Sequence, residues 1–203
     1  MIRFGILSYV HREPATLPGT LASLLKAFPR VAPTIYPDDG RYGAALNLAR
    51  ALEDLSHGGG WVCVLDDDLV LDVATRQRLQ DGWQAHGEDA AFSLWTIEQN
   101  IPHERREERG WVRVDAHKHL WGGAVVMSAD NATMCAFRIR HMVKEEPELA
   151  TKPDACIFMA LEKMRTPLYF HLPSLVDHAG LEASTIGNTH EHGETRGYKF
   201  GEQ

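Results

Sequence analysis

The chain has few cysteines. Three occur in 203 residues, at Cys63, Cys135 and Cys156. Odd in number, widely spaced and set among apolar neighbours, they argue against a disulfide framework or a zinc site and read as reduced core thiols of a cytosolic protein. Long apolar runs are also missing. None approaches membrane-spanning length, and the opening Met1-Ile2-Arg3-Phe4-Gly5 has no signal-peptide hydrophobic region. Positive charge is not in excess: 21 Lys and Arg stand against 28 Asp and Glu, for a net charge of −7. That excludes a global pull toward nucleic acid or an anionic membrane, though not a local basic groove. Repeats and low-complexity stretches are absent. What remains, 44% hydrophobic and 24% charged residues, is ordinary for one soluble globular domain that needs no staple.

The most informative stretch is Trp61 to Asp72, Trp-Val-Cys-Val-Leu-Asp-Asp-Asp-Leu-Val-Leu-Asp. Its five leading apolar residues read as a short buried strand. Three consecutive carboxylates at a strand end are costly unless a cation or a polarised ligand neutralises them. In open α/β sheets the carboxyl edge is where ligands sit. Asp66, Asp67 and Asp68 therefore point to a hard divalent cation held by oxygen ligands and bridged to phosphate. The alternative is a solvated acidic turn; Leu69, Val70 and Leu71 count against it by flanking the acids with core-forming residues.

Periodicity organises the rest. Ile2–Tyr9 reads as a first strand, and 18–28 as an amphipathic helix with Pro18 near its start. A strand over 32–36 is closed by the turn signal Pro37-Asp38-Asp39-Gly40, and 42–55 has helical spacing. After the central strand come a helix over 73–83, a strand over 90–97 and a charged loop over 98–110. Short strands over 111–114 and 119–127, helices over 131–143 and 154–164, and a strand over 168–172 complete the chain, with residues from Ser184 onward read as a mobile tail. The alternation of strands and helices predicts an α/β fold with a mostly parallel central sheet flanked by helices.

Three places carry a family resemblance: Leu17-Pro18-Gly19-Thr20-Leu21-Ala22-Ser23-Leu24, then Leu65-Asp66-Asp67-Asp68, then Pro173-Ser174-Leu175-Val176-Asp177-His178-Ala179-Gly180. In this order they resemble the first helix, the Asp-x-Asp motif and the C-terminal segment of GT-A-type glycosyltransferases, the small bacterial and phage enzymes above all. Lipooligosaccharide galactosyltransferases are more distantly similar. The resemblance implies a single-domain GT-A (Rossmann-like) fold over 1–188 and a flexible tail over 189–203. It also implies a metal-dependent transfer from a nucleotide-sugar donor, a UDP-sugar first, to an acceptor hydroxyl.

On that resemblance the metal ligands would be Asp66, Asp68 and His178, holding manganese by preference or magnesium. The donor would meet Ser8, Tyr9, Arg12, Asp38, Asp39, Asp66, Asp67, Trp121, Gly122 and Gly123. Asp154 would be the catalytic base of an inverting reaction. Arg196 and Lys199 would fold over the diphosphate. The bland alternatives are turn residues for the strand-end positions, a helix-initiating role for Asp154 and core packing for Trp121 to Gly123. Phage relatives suggest a hydroxymethylated base in DNA as acceptor, approached by Arg105, Arg106, Arg109, Arg138, Arg140 and Lys144 from the host cytoplasm; a saccharide acceptor is the alternative. Glu104, Glu107 and Glu108 interleave with the first three arginines and favour a solvated loop. Two rival classes remain: a haloacid-dehalogenase-like phosphatase using Asp66 and Asp68, and a nucleotide-binding module without catalysis.

Overall fold

The computed structural model describes residues 1–10, 13–41, 43–98, 101–116, 123–178 and 198–201, without the side chains of 13–15. In chain order these form β1 (Ile2–Tyr9), α1 (Glu13–Ala27), β2 (Thr34–Asp38), α2 (Ala44–Ser56), β3 (Trp61–Asp66), β4 (Leu69–Leu71) and α3 (Thr75–His86). There follow β5 (Ala91–Ser93), β6 (Gly110–Val114), β7 (Ala124–Ser128), α4 (Ala129–Glu145), α5 (Pro153–Met164), β8 (Leu168–Leu172) and β9 (Val176–His178). Among these residues no helix is long and apolar enough to cross a membrane.

Seven strands make one sheet in the order β2-β1-β3-β7-β5-β8-β6, and β4 pairs with β9 in a separate ribbon. β1 is parallel to β2 and β3, and β5 to β8; β7 opposes β3 and β5, and β6 opposes β8. Thus β1, β2, β3, β5 and β8 point one way and deliver their carboxyl ends to a single edge. The sheet is mostly parallel, as the alternation predicts.

Helices cover both faces. One layer buries Leu48, Leu52 and Leu55 of α2, Ile139 of α4 and Phe158 of α5 against Val62, Val64 and Val125. The other buries Leu17 and Leu24 of α1 and Leu79 of α3 against Phe4, Ile6, Leu65 and Val126. Side chains alternate across β1 and β3, so each strand feeds both layers. All three cysteines are free and buried. Burial pushes the Cys63 and Cys135 thiols well up, and burial beside Asp154 and Glu146 pushes Cys156 up to about 11.

Element bounds depart from the periodic reading where proline is involved. α1 begins at Glu13, five residues before the expected start, and encloses Pro18. Pro14 sits in the first turn, where no N–H is needed; Pro18 forgoes one helical bond, while Leu17, Leu24 and Ala27 still bury the helix. β2 runs to Asp38 and contains Pro37, which the turn signal had placed outside it. As an outer strand β2 has one neighbour, so a missing donor is tolerated. β5 is only three residues long, because Leu94 to Ile97 leave the ladder to bond with other segments.

His171, on β8, shows how the buried polar groups are matched. Its ring is 3% exposed, its Nδ1 lies 2.7 Å from the Pro173 carbonyl, and Trp111 meets it edge-on. Burial holds its pKa below the ordinary value, with the Pro173 carbonyl opposing in part. The unfolded chain therefore takes up this proton first as pH drops through about 6.5, and stability falls from there toward the folded value. His86, also lowered by burial, adds to the same slope. Urea denaturation of His171→Gln between pH 7.5 and 5.5 should show a shallower loss than the parent; an equal slope would count against this assignment.

Candidate functional site

β3 carries the three aspartates to the carboxyl edge and the fold then separates them. Asp66 still pairs with Leu7 of β1, and its N–H donates to the Gly123 carbonyl at 2.8 Å. Asp67 turns inward and is fully buried. Its Oδ2 accepts the Tyr9 N–H at 3.0 Å, and its carbonyl accepts the Thr20 hydroxyl at 2.7 Å. The Tyr9 N–H thus faces the charge of the middle carboxylate, while Thr20 holds its backbone. Asp68 is buried too, 8% exposed, with its Oδ2 3.3 Å from Nδ1 of His178.

The pairing of Asp68 with His178 follows from strand register. In the antiparallel ribbon Leu69 faces His178, Val70 faces Asp177 and Leu71 faces Val176. The residue before Leu69 is therefore set beside the imidazole across 110 positions of sequence. Trp95, two residues past β5, meets the His178 ring edge-on with centroids 4.4 Å apart. Gly123 completes the corner. A Cβ there would stand 2.9 Å from Asp66 Oδ2 and 3.3 Å from the Trp95 ring, so a side chain would displace one or the other.

The remaining candidates distribute as follows. Ser8 is buried, and its hydroxyl has no hydrogen-bond partner among the described residues. Tyr9 lies at the end of β1 opposite Asp38. Asp38 and Asp39 each accept a backbone N–H from their own turn, at Gly40 and Arg41, and Asp39 also pairs with Arg41 at 3.0 Å. Asp154 is in the first turn of α5. Because β7 runs away from the site edge, α4 climbs back to it and the Pro147–Thr151 turn packs against Gly43 there; α5 then descends, which leaves Asp154 at the same edge as the triplet. Arg12, Trp121, Gly122 and Arg196 lie outside the described residues. Lys199 reaches Glu107 at 3.9 Å and lies over the Tyr198 ring.

The basic side chains assigned to a phosphate backbone largely have partners of their own. Arg105 grips Glu108 with both branches, Arg106 pairs with Glu98 and Arg140 with Glu53; Arg109 donates to the Glu108 carbonyl. Arg138 and Lys144 lie on α4, on another part of the molecule.

Sequence reading did not find Trp95, Thr20, Thr96 or Tyr198. Trp95 and Thr96 sit in an apolar run that reads as one strand, and nothing local marks where that strand stops. Thr20 and Ser174 fall inside quoted motifs, but their roles are tertiary: the Ser174 hydroxyl accepts the Thr96 N–H at 3.0 Å and donates to the Val176 carbonyl at 2.8 Å.

Among the described residues no three His, Cys, Asp or Glu side chains form a ready-made metal cluster. Asp68 and His178 supply two donors, one carboxylate and one imidazole. Such a pair fits a cation that takes its other ligands from phosphate oxygens and water, not one caged by protein alone.

No known protein family and no curated protein matches the chain. Solved structures do. A197 from STIV superposes with a TM-score of 0.51 at 14% identity, over 86% of this chain and 83% of that one. S. aureus TarS 1-349 gives 0.54 at 11% identity, over 83% of this chain but only 57% of its own. These likenesses concern the fold alone: the chain has an α/β architecture of GT-A type.

Thr20 offers a test of how the triplet is held. Thr20→Val keeps the volume but removes the donor to the buried Asp67 carbonyl, which should lower unfolding free energy by about 1–3 kcal/mol. Urea denaturation measures it; undiminished stability would mean that the contact does not hold the turn.

Proposed function

We propose that this chain transfers a glycosyl group from a nucleoside-diphosphate sugar, with a divalent cation between Asp68 and His178. The observation that carries the proposal is the 3.3 Å approach of Asp68 Oδ2 to His178 Nδ1 at the carboxyl edge of a GT-A-type sheet. When bound, manganese, or magnesium in its place, would neutralise charge developing on the departing diphosphate.

The protein's own groups take the other parts. Asp67 is a positioning residue: by holding the Tyr9 N–H it fixes the ends of β1 and β3 relative to each other. Ser8, Tyr9, Asp38 and Asp39 line the strand ends where the base and ribose would lie, with a UDP-sugar as the first donor to try. Asp66, whose carboxylate occupies space that a side chain at 123 would fill, borders the place for ribose or metal. Asp154 would act in an inverting reaction. Its carboxylate accepts the acceptor hydroxyl's proton while that oxygen bonds to the anomeric carbon. The carbon–oxygen bond to the diphosphate breaks, and its electron pair leaves with the phosphate oxygen. The engagement of Arg105, Arg106 and Arg140 by glutamates favours a saccharide over hydroxymethylated DNA as acceptor. A phosphatase reading draws no support from a sheet in which β7 lies antiparallel beside β3.

A thermal-shift series with UDP, GDP and CDP, each with manganese or with EDTA, tests the proposal. One nucleotide should raise Tm by several degrees in a manganese-dependent way, since a ligand bound only to the native state stabilises it. Asp68→Ala and His178→Ala should abolish that increment yet remain folded. An increment equal in EDTA, or retained in both variants, would reject the cation site.

A further inference from the structure

Behind His178 three distant segments close a ring of hydrogen bonds. Tyr198 N–H donates to the Thr96 carbonyl at 2.7 Å, Thr96 N–H to the Ser174 hydroxyl at 3.0 Å, and Ser174 N–H to the Tyr198 carbonyl at 2.9 Å. Thr96 and Ser174 are fully buried. Two arms run from the ring to the imidazole. One is Trp95, next to Thr96, whose indole meets His178 edge-on. The other is the Ser174 hydroxyl, donating to Val176 two residues before His178 in the same strand. Tyr198 also seats its side chain against Ile101, Val112, Phe170 and Leu172, and its hydroxyl donates to the Arg106 carbonyl at 3.2 Å.

We propose that Tyr198 is a positioning residue for His178, acting through Thr96–Trp95 on one side and Ser174–Val176 on the other. Its side chain seats the segment whose backbone supplies these bonds. Once that segment undocks, the Thr96 carbonyl and the Ser174 N–H would each lose a partner in a buried setting, where restoring the bond elsewhere requires the loop ends to move. That movement would reach His178 by both arms. The bearing on cation binding rests on the Asp68–His178 reading of the preceding section; the bearing on imidazole placement does not.

Two measurements separate these. In unloaded protein, NMR of the His178 ring protons, identified by comparison with His178→Gln, reads the ring current of Trp95. Tyr198→Ala should move these signals toward random-coil positions, whereas Tyr198→Phe, which keeps the seated ring and both backbone bonds, should leave them in place. Should Tyr198→Ala fail to fold, Tyr198→Pro removes the N–H given to Thr96 while still partly filling the pocket, and the same shift is expected. In the second measurement, the manganese concentration giving half of the UDP-dependent stabilisation should rise at least tenfold in Tyr198→Ala and less than threefold in Tyr198→Phe. Unmoved His178 signals in the folded Ala or Pro variant overturn the positioning role. Moved signals in a protein whose parent shows no manganese-dependent stabilisation uphold it and reject the cation reading instead.

Discussion

Three adjacent carboxylates at the end of a buried strand impose the governing constraint on this molecule. Placed together in a low-dielectric corner they would repel one another and lose their hydration. The fold answers by treating them unequally. Asp67 is drawn inside and met by the Tyr9 N–H and, at its carbonyl, by the Thr20 hydroxyl, so the first strand and first helix are both tied to the turn. Asp66 and Asp68 are left at the edge, on either side of that anchor. The turn can then lead directly into β4, and only because it does so can Leu69 meet His178 in register.

The corner has no scaffold element of its own. It is assembled from the ends of β1 and β3, the connection after β5, the start of β7, the β4–β9 ribbon and the docked Tyr198. The strand ends are held by the main ladder, whereas the connection after β5, the ribbon and Tyr198 are short and fixed by bonds to one another. Leu175, for example, gives its N–H to Leu94 and receives that of Asp72, so the stretch before β9 is pinned from both sides. Rigid placement of first-contact groups by a surrounding layer of satisfied polar groups is what a site with a geometrically demanding ligand requires.

Much of this was legible in the residue order and some was not. The central strand, the acidic turn and the helix-strand alternation follow from local patterns, and the structure places them where those patterns point. The approach of His178 to Asp68 was reached only through the motif Pro173 to Gly180, since no periodicity relates residues so far apart. Prolines misled where their usual local meaning yielded to position: Pro18 inside a well-buried helix, Pro37 on an outer strand. Trp95, Thr96 and Tyr198 carry no local signature, because what gives them a role is a partner about 80 to 100 residues away. The glutamates interleaved with the arginines already favoured a solvated loop over a basic surface, and the fold pairs Arg105 with Glu108 and Arg106 with Glu98.

The three thiols offer a practical consequence. Cys63, Cys135 and Cys156 are enclosed and held in their protonated form well above neutral pH, and the thiolate is the species that reacts. Maleimide chemistry at neutral pH thus meets a native background that is almost silent. A single cysteine introduced on an exposed surface turn becomes a unique attachment point for a fluorophore or spin label, with no need to remove the natural ones.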